Sequence, residues 1–218
     1  MSALLNATGD KLTRSSGFPT FTSWTLAFWV KMATDMNTYS AAFYWGDNDF
    51  NDGLYVGTTD NGTTINVDNF PSGNRQFADF VVGTWVHLAI VNASSTITPY
   101  INGVAQLTIT STQAPSNTIY GFGDVRAGEF VNGYYAYARM WEAGLTAAEI
   151  VAERNSAYAA RTTNLFTDCS FLSNANDASG NARHFTEGGT VTYDADMPPL
   201  RSPIIIPPAR RIIGTLTR

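Results

Sequence analysis

Gly83-Thr84-Trp85-Val86-His87-Leu88-Ala89-Ile90-Val91, followed shortly by Pro99-Tyr100-Ile101-Asn102-Gly103-Val104, decides the fold. The first segment alternates as a strand does, with Val86, Leu88 and Ile90 on one face and Trp85, His87, Ala89 and Val91 on the other. Both faces are mostly apolar, which places this strand at the centre of a two-layer β structure. The second segment runs into Asn102-Gly103, the dipeptide that best accepts the two positive φ angles of a type I′ turn, and continues as Val104-Ala105-Gln106-Leu107. A hairpin follows from that pair.

Outward from this stretch, further strand-like segments occur in a fixed order. They are Ser23-Trp24-Thr25-Leu26-Ala27-Phe28-Trp29-Val30-Lys31, Gly53-Leu54-Tyr55-Val56-Gly57, Ile119-Tyr120-Gly121-Phe122-Gly123 and Gly133-Tyr134-Tyr135-Ala136-Tyr137-Ala138-Arg139-Met140-Trp141, closed by Leu145-Thr146-Ala147-Ala148-Glu149-Ile150. Together with the opening stretch, this ordered set resembles the laminin-G-like branch of the concanavalin A-like lectin/glucanase jelly rolls. The resemblance implies an all-β fold, a two-sheet antiparallel jelly-roll sandwich. Function does not follow from so widely reused a fold.

Composition agrees with that architecture. A chain of 218 residues suits one sandwich domain, and only 14% of its residues are charged while Gly and aromatics are plentiful. No run approaches the roughly 20 apolar residues of a membrane span. Met1 to Lys11 has neither a basic region nor an apolar core of signal-peptide type, so the sequence reads as a chain made in the cytosol. Cys169 is the sole cysteine and is expected as a free, half-buried thiol. The sequons at Asn6, Asn61 and Asn92 read as chance matches in an Asn- and Thr-rich chain.

One helix is expected. Thr146 with Glu149 forms a capping box, Leu145 staples against Ile150, and the helix runs on to about Ala160. Beyond it, Leu165-Phe171 and Thr190-Tyr193 are strand candidates, and Asp177-Ala178-Ser179-Gly180-Asn181 is a turn that returns the chain to the same sandwich. The sandwich domain is therefore expected over 1–197. Residues 198–218 differ in kind, with four arginines, no acid and proline-bracketed isoleucines, and are expected to form an extended arm. Ile204, Ile205, Ile206, Arg210, Arg211, Ile212 and Ile213 are its candidate partner-binding residues, folding back on the same domain or adding to a neighbouring subunit's sheet edge.

Catalytic patterns are not found. Enzymes of this fold that cleave β-glucans carry two glutamates in an E-x-D-x-x-E strand, and none of Glu129, Glu142, Glu149, Glu153 or Glu187 has that spacing. His87 and His184 are the only histidines, and His87 reads as structural. The segment Tyr44-Trp45-Gly46-Asp47-Asn48-Asp49-Phe50-Asn51-Asp52 is the candidate ligand loop. Its Tyr44 and Trp45 offer faces to a sugar ring, and Asp47, Asp49 and Asp52 offer oxygens to hydroxyls or to Ca²⁺. No other cofactor or metal is expected, and Ala136 replaces the Asp that the resemblance would place on the late strand.

By elimination, the sequence reads as a non-enzymatic structural or binding protein. Small laminin-G-like proteins of this description resemble virion components of tailed bacteriophages: capsid decoration, head-fibre or tail-fibre proteins. That resemblance implies assembly in the host cytoplasm, attachment to other virion subunits through the arm, and a homo-oligomer. The alternative is a carbohydrate-binding, lectin-like module or adhesin of a cell-surface protein, with glycans as partners. An enzyme acting through Asp47 or Asp124 ranks third, and the acidic domain argues against nucleic acid.

Overall fold

The computed structural model describes residues 1–17, 22–34, 39–47, 53–59, 62–70, 72–110, 115, 118–126 and 128–200. In chain order the elements are β1 (Ser2–Leu5), β2 (Lys11–Arg14), β3 (Trp24–Met32), β4 (Ala41–Gly46), β5 (Gly53–Thr58), β6 (Thr64–Phe70), β7 (Gly73–Asp79), β8 (Trp85–Ala93), β9 (Thr96–Ile101), β10 (Val104–Ala105), β11 (Ile109–Thr110), β12 (Ile119–Gly123), β13 (Gly133–Trp141), α1 (Ala147–Arg154), β14 (Leu165–Cys169), β15 (Thr186–Gly188) and β16 (Thr192–Asp194). One sheet runs β10-β9-β8-β3-β13-β1-β16, with β11 also on β9 and β14 on β13; the other runs β15-β2-β12-β4-β5-β6-β7. The strand pairings are antiparallel, and the two sheets make the expected jelly-roll sandwich.

Trp85 to Ala93 form β8, a central strand between β3 and β9. Val86, Leu88 and Ile90 point into the core between the sheets, while Ala89 and Val91 join a second apolar cluster on the outer face with Tyr100, Trp141, Leu145 and Ile150. Asn102 and Gly103 take φ angles of 52° and 80°, as a type I′ turn requires. Asn102 also ties the hairpin back to β8, its Oδ1 accepting from the His87 backbone N–H at 3.0 Å.

Aromatic rings fill the core. Phe122 on β12 lies 5.2 Å from Phe28, 5.1 Å from Phe43, 5.4 Å from Phe171 and 5.9 Å from Tyr135, measured between ring centroids. All four contacts are edge-on, the arrangement that ring quadrupoles favour.

Helix α1 starts as expected. Glu149 N–H donates to the Thr146 hydroxyl, and the Glu149 carboxylate accepts from Thr146 N–H at 2.8 Å. It ends earlier than expected, at Arg154 with Asn155 as C-cap rather than near Ala160. The residues beyond are held by β13 instead. Arg139, buried like Glu153 at 1% side-chain exposure, pairs with Glu153, donates from Nε to Asp168 at 2.6 Å and donates to the Ala157 carbonyl at 2.5 Å. Burial opposes the charge on Arg139, but the adjacent Glu153 and Asp168 carboxylates hold its pKa above the ordinary arginine value. These contacts turn the chain away from the helix axis and fasten α1 to the outer face of the first sheet.

The Asp177 turn also forms as expected. Burial works against the Asp177 charge, yet the backbone N–H groups of Asp168, Ser179 and Arg183 hold its carboxyl below the usual range. The strand candidates around it appear as β14 and β16, with β15 in addition. Cys169 is fully buried rather than half-buried, and burial pushes its thiol up to about 12, which leaves it unreactive. At the end of the described chain, Leu200 packs beside Trp29, Ala136 and Tyr137, and Trp85 Nε1 donates to Asp196 at 2.9 Å. The arm residues Ile204, Ile205, Ile206, Arg210, Arg211, Ile212 and Ile213 lie outside the described residues.

The buried ion pair yields a direct prediction. Replacing Glu153 by Ala leaves Arg139 charged and short of its partner in the interior, so stability should fall by about 3 kcal/mol. Urea unfolding of wild type and variant measures the loss; a change below about 1 kcal/mol would contradict the structural role given to this pair.

Candidate functional site

Of the ligand loop expected at 44–52, the structure describes Tyr44 to Asp47. Trp45 is the penultimate residue of a central strand, β4, and points into the core, where its ring meets Trp24 edge-on at 5.4 Å. Alternation along β4 turns Tyr44 to the opposite, outer face, where it is buried too, its hydroxyl donating to the Asp47 carbonyl. Neither ring is free to stack on a sugar. Asp49 and Asp52 lie outside the described residues. Among the described residues, no group of three or more His, Cys, Asp or Glu side chains is gathered for a metal ion.

The outer face of the second sheet does carry a cavity, two strands further along. Register places Tyr55 on β5 opposite Tyr44 on one side and Asp68 on β6 on the other, and Asp68 opposite Asn74 on β7. Ile65 and Val67 point inward, so Asn66 and Asp68 point outward. The resulting groove, about 320 Å³, is lined by Tyr39, Tyr55, Asn66, Asp68, Phe70, Asn74, Gln76 and Glu129. That volume sits at the small end of ligand sites, where apolar walls surround a few polar groups.

Two segments wall the groove. The first is 39–41, which crosses β5 at Gly57. A Cβ on Gly57 would meet the Ser40 carbonyl oxygen at 2.1 Å, so only glycine admits this approach. The second carries Glu129 and is anchored at both ends: Asp124 accepts from Gly128 N–H and from Gly9 N–H, each at 2.7 Å, and Val131 N–H donates to the Ala41 carbonyl at 2.9 Å. Arg126 donates to Glu129 at 3.0 Å and its guanidinium lies 5.3 Å from the centre of the Tyr44 ring. Asp124, a candidate catalytic carboxylate in sequence, thus serves as a structural clamp.

The polar groups in the groove are unevenly satisfied. Burial raises the Asp68 carboxyl, with Asn74 hydrogen-bonded to it. Burial and the charge of Glu129 raise the Tyr55 hydroxyl, which donates to the Thr58 carbonyl at 2.9 Å. Asn66, at 3% exposure, keeps a buried Oδ1 with no hydrogen-bond partner among the described residues. Tyr39 is 46% exposed and offers an open ring at the rim. Sequence reasoning missed Asn66, Asp68, Phe70, Asn74 and Gln76 because polar alternation on a strand looks the same on any solvated face.

His87 is buried on the far side, on the outer face of the first sheet and 5.3 Å from Trp29, remote from the groove-forming strands. His184 Nδ1 accepts from Asp177 N–H at 2.9 Å. Both histidines are parts of the fold.

Residues 6–151 match the family model of the concanavalin A-like lectin/glucanases superfamily, and the chain belongs to that family. Solved structures agree on the fold. A Bacteroides ovatus protein proposed to bind carbohydrate is 12% identical with a TM-score of 0.63, the match covering 88% of this chain and 61% of that one, so this chain spans under two thirds of its length. The heptameric SAP-like pentraxin of Limulus polyphemus is 15% identical with a TM-score of 0.59, covering 88% and 93%. The fourth domain of an extracellular arabinanase from Geobacillus stearothermophilus, solved with arabinotriose, is 22% identical with a TM-score of 0.56, covering 70% and 76%. No curated protein matches the sequence.

Two predictions follow from these placements. Gly57→Ala should destabilise the domain by roughly 2 kcal/mol through the clash with Ser40, measurable as a lowered urea midpoint; an unchanged midpoint would contradict the close approach. The second concerns acid. Burial, then Arg154 and Arg139, lower the His87 pKa to about 3, against about 6.5 when unfolded. Between those values the unfolded chain binds a proton that the folded one does not, so stability falls as pH drops from about 6.5 toward 3. In His87→Gln the slope over that window should flatten by close to one proton, about 1.4 kcal/mol per pH unit. An identical slope in both proteins would show that His87 is not neutral in the fold.

Proposed function

We propose that the protein is a carbohydrate-binding, lectin-like module and that its glycan occupies the groove on the outer face of the second sheet. One observation carries the reading: Tyr39, Tyr55 and Phe70 stand around Asn66, Asp68, Asn74, Gln76 and Glu129 in a single concavity. A sugar presents an apolar ring face and a rim of hydroxyls, and this combination meets both. Family membership and the likeness to carbohydrate-binding domains support it; they bear on this alternative and not on the virion role. The module acts by binding, without hydrolysis. Its two carboxylates are engaged with Asn74 and Arg126, and the glutamate spacing of the fold's glucanases is missing.

Tyr39 is the residue to test, because its exposed ring can be removed without opening the core. On a glycan array followed by calorimetry, Tyr39→Ala should weaken binding about tenfold while the unfolding midpoint stays within error. Equal binding by variant and wild type would remove the groove from consideration.

A further inference from the structure

The groove has a sign. From Met32 to Asn74 the chain contains six aspartates, Asp35, Asp47, Asp49, Asp52, Asp60 and Asp68, and no Lys, Arg or His. This segment supplies β4, β5 and β6 and the wall at Tyr39, which is most of the groove. Among the described residues its lining includes two carboxylates, Asp68 and Glu129, and no basic side chain. The nearest described cation in the wall, Arg126, is paired with Glu129 at 3.0 Å, which leaves the Asp68 charge without a basic partner among the lining residues. Arg75 on β7 sits in register with the inward-pointing Val67, on the other face from Asn74 and Gln76.

The hydrogen-bonding character runs the same way. Carboxylates only accept, and Asp68 and Glu129 are the charged groups of the lining. Its complement is a ligand rich in O–H or N–H groups, not one bringing further acceptors and negative charge.

Resting on the lectin-like reading, we propose that the groove selects glycans that carry no anionic group, with a hydroxyl pair donating to Asp68. Uronic acids, sialic acids and sulfated sugars are turned away by the Asp68 and Glu129 carboxylates of the lining. A carboxylate brought beside Asp68 meets like-charge repulsion in a partly desolvated setting, whereas a neutral sugar hydrogen-bonds to it.

The test pairs lactose with sialyllactose, and a neutral xylo-oligosaccharide with its glucuronic-acid-substituted form. Each is titrated into the full chain by calorimetry at low and at high salt, after an array has confirmed which neutral member binds. The expected result is that the anionic member of the pair binds roughly tenfold weaker, and that the gap narrows as salt screens the field. In Asp68→Asn, which keeps the shape of the side chain, the ratio of neutral to anionic affinity should shrink by about threefold or more. The ratio is the readout, so a uniform loss from the missing carboxylate does not obscure it.

Anionic glycans that bind as tightly as their neutral counterparts would overturn the selectivity and leave the lectin-like reading intact. A neutral-to-anionic ratio unmoved in Asp68→Asn would overturn the role of Asp68. An array on which no glycan of either class binds overturns the lectin-like reading, and this proposal with it.

Discussion

Phe122 lies at the point where the two sheets lock together. Its ring touches rings from β3, β4 and β13 and from the segment after β14, so the register of four strands is fixed around one side chain. In a sheet whose inner face is dry, a slip of one residue would exchange every inward and outward side chain. Inward Phe43, Trp45, Leu54, Val56, Ile65 and Val67 therefore determine that Tyr44, Tyr55, Asn66 and Asp68 face out. The groove is a consequence of the core.

The two outer faces are used differently. On the first sheet, α1 and the Arg139–Glu153–Asp168 network cover the apolar residues Ala89, Val91 and Trp141, closing that side. On the second, a wall crosses at Gly57 and another is anchored through Asp124, and the space between them stays open over β5, β6 and β7. Tight approaches at glycine and a carboxylate spent on backbone N–H groups are structural work, and their result is a cavity of definite shape beside the sheet.

What was legible in the sequence obeyed local rules. The alternation of Val86, Leu88 and Ile90, the Asn102-Gly103 turn and the Thr146–Glu149 capping box each depend on neighbours a few residues away, and each forms as the residues dictate. The failures depended on partners far along the chain. Helix α1 stops at Arg154 because Arg139, a strand residue, captures Glu153 and the Ala157 carbonyl. Trp45 resembled a loop aromatic because it precedes an aspartate-rich run, yet it lies within a central strand whose inner face needs its bulk. Asn66, Asp68, Asn74 and Gln76 gave no signal at all, since their meaning comes from strand register and from the two walls.

The central claim is that the outer face over β5, β6 and β7 holds the glycan. Nitrogen-labelled full-length protein titrated with a neutral oligosaccharide tests it most directly, through the side-chain amide signals of Asn66, Asn74 and Gln76 and the indole signal of Trp45. Saturating shifts in those amides with the Trp45 indole unmoved are the predicted result. Shifts gathered on the α1 side of the sandwich, with the groove amides silent, would contradict it.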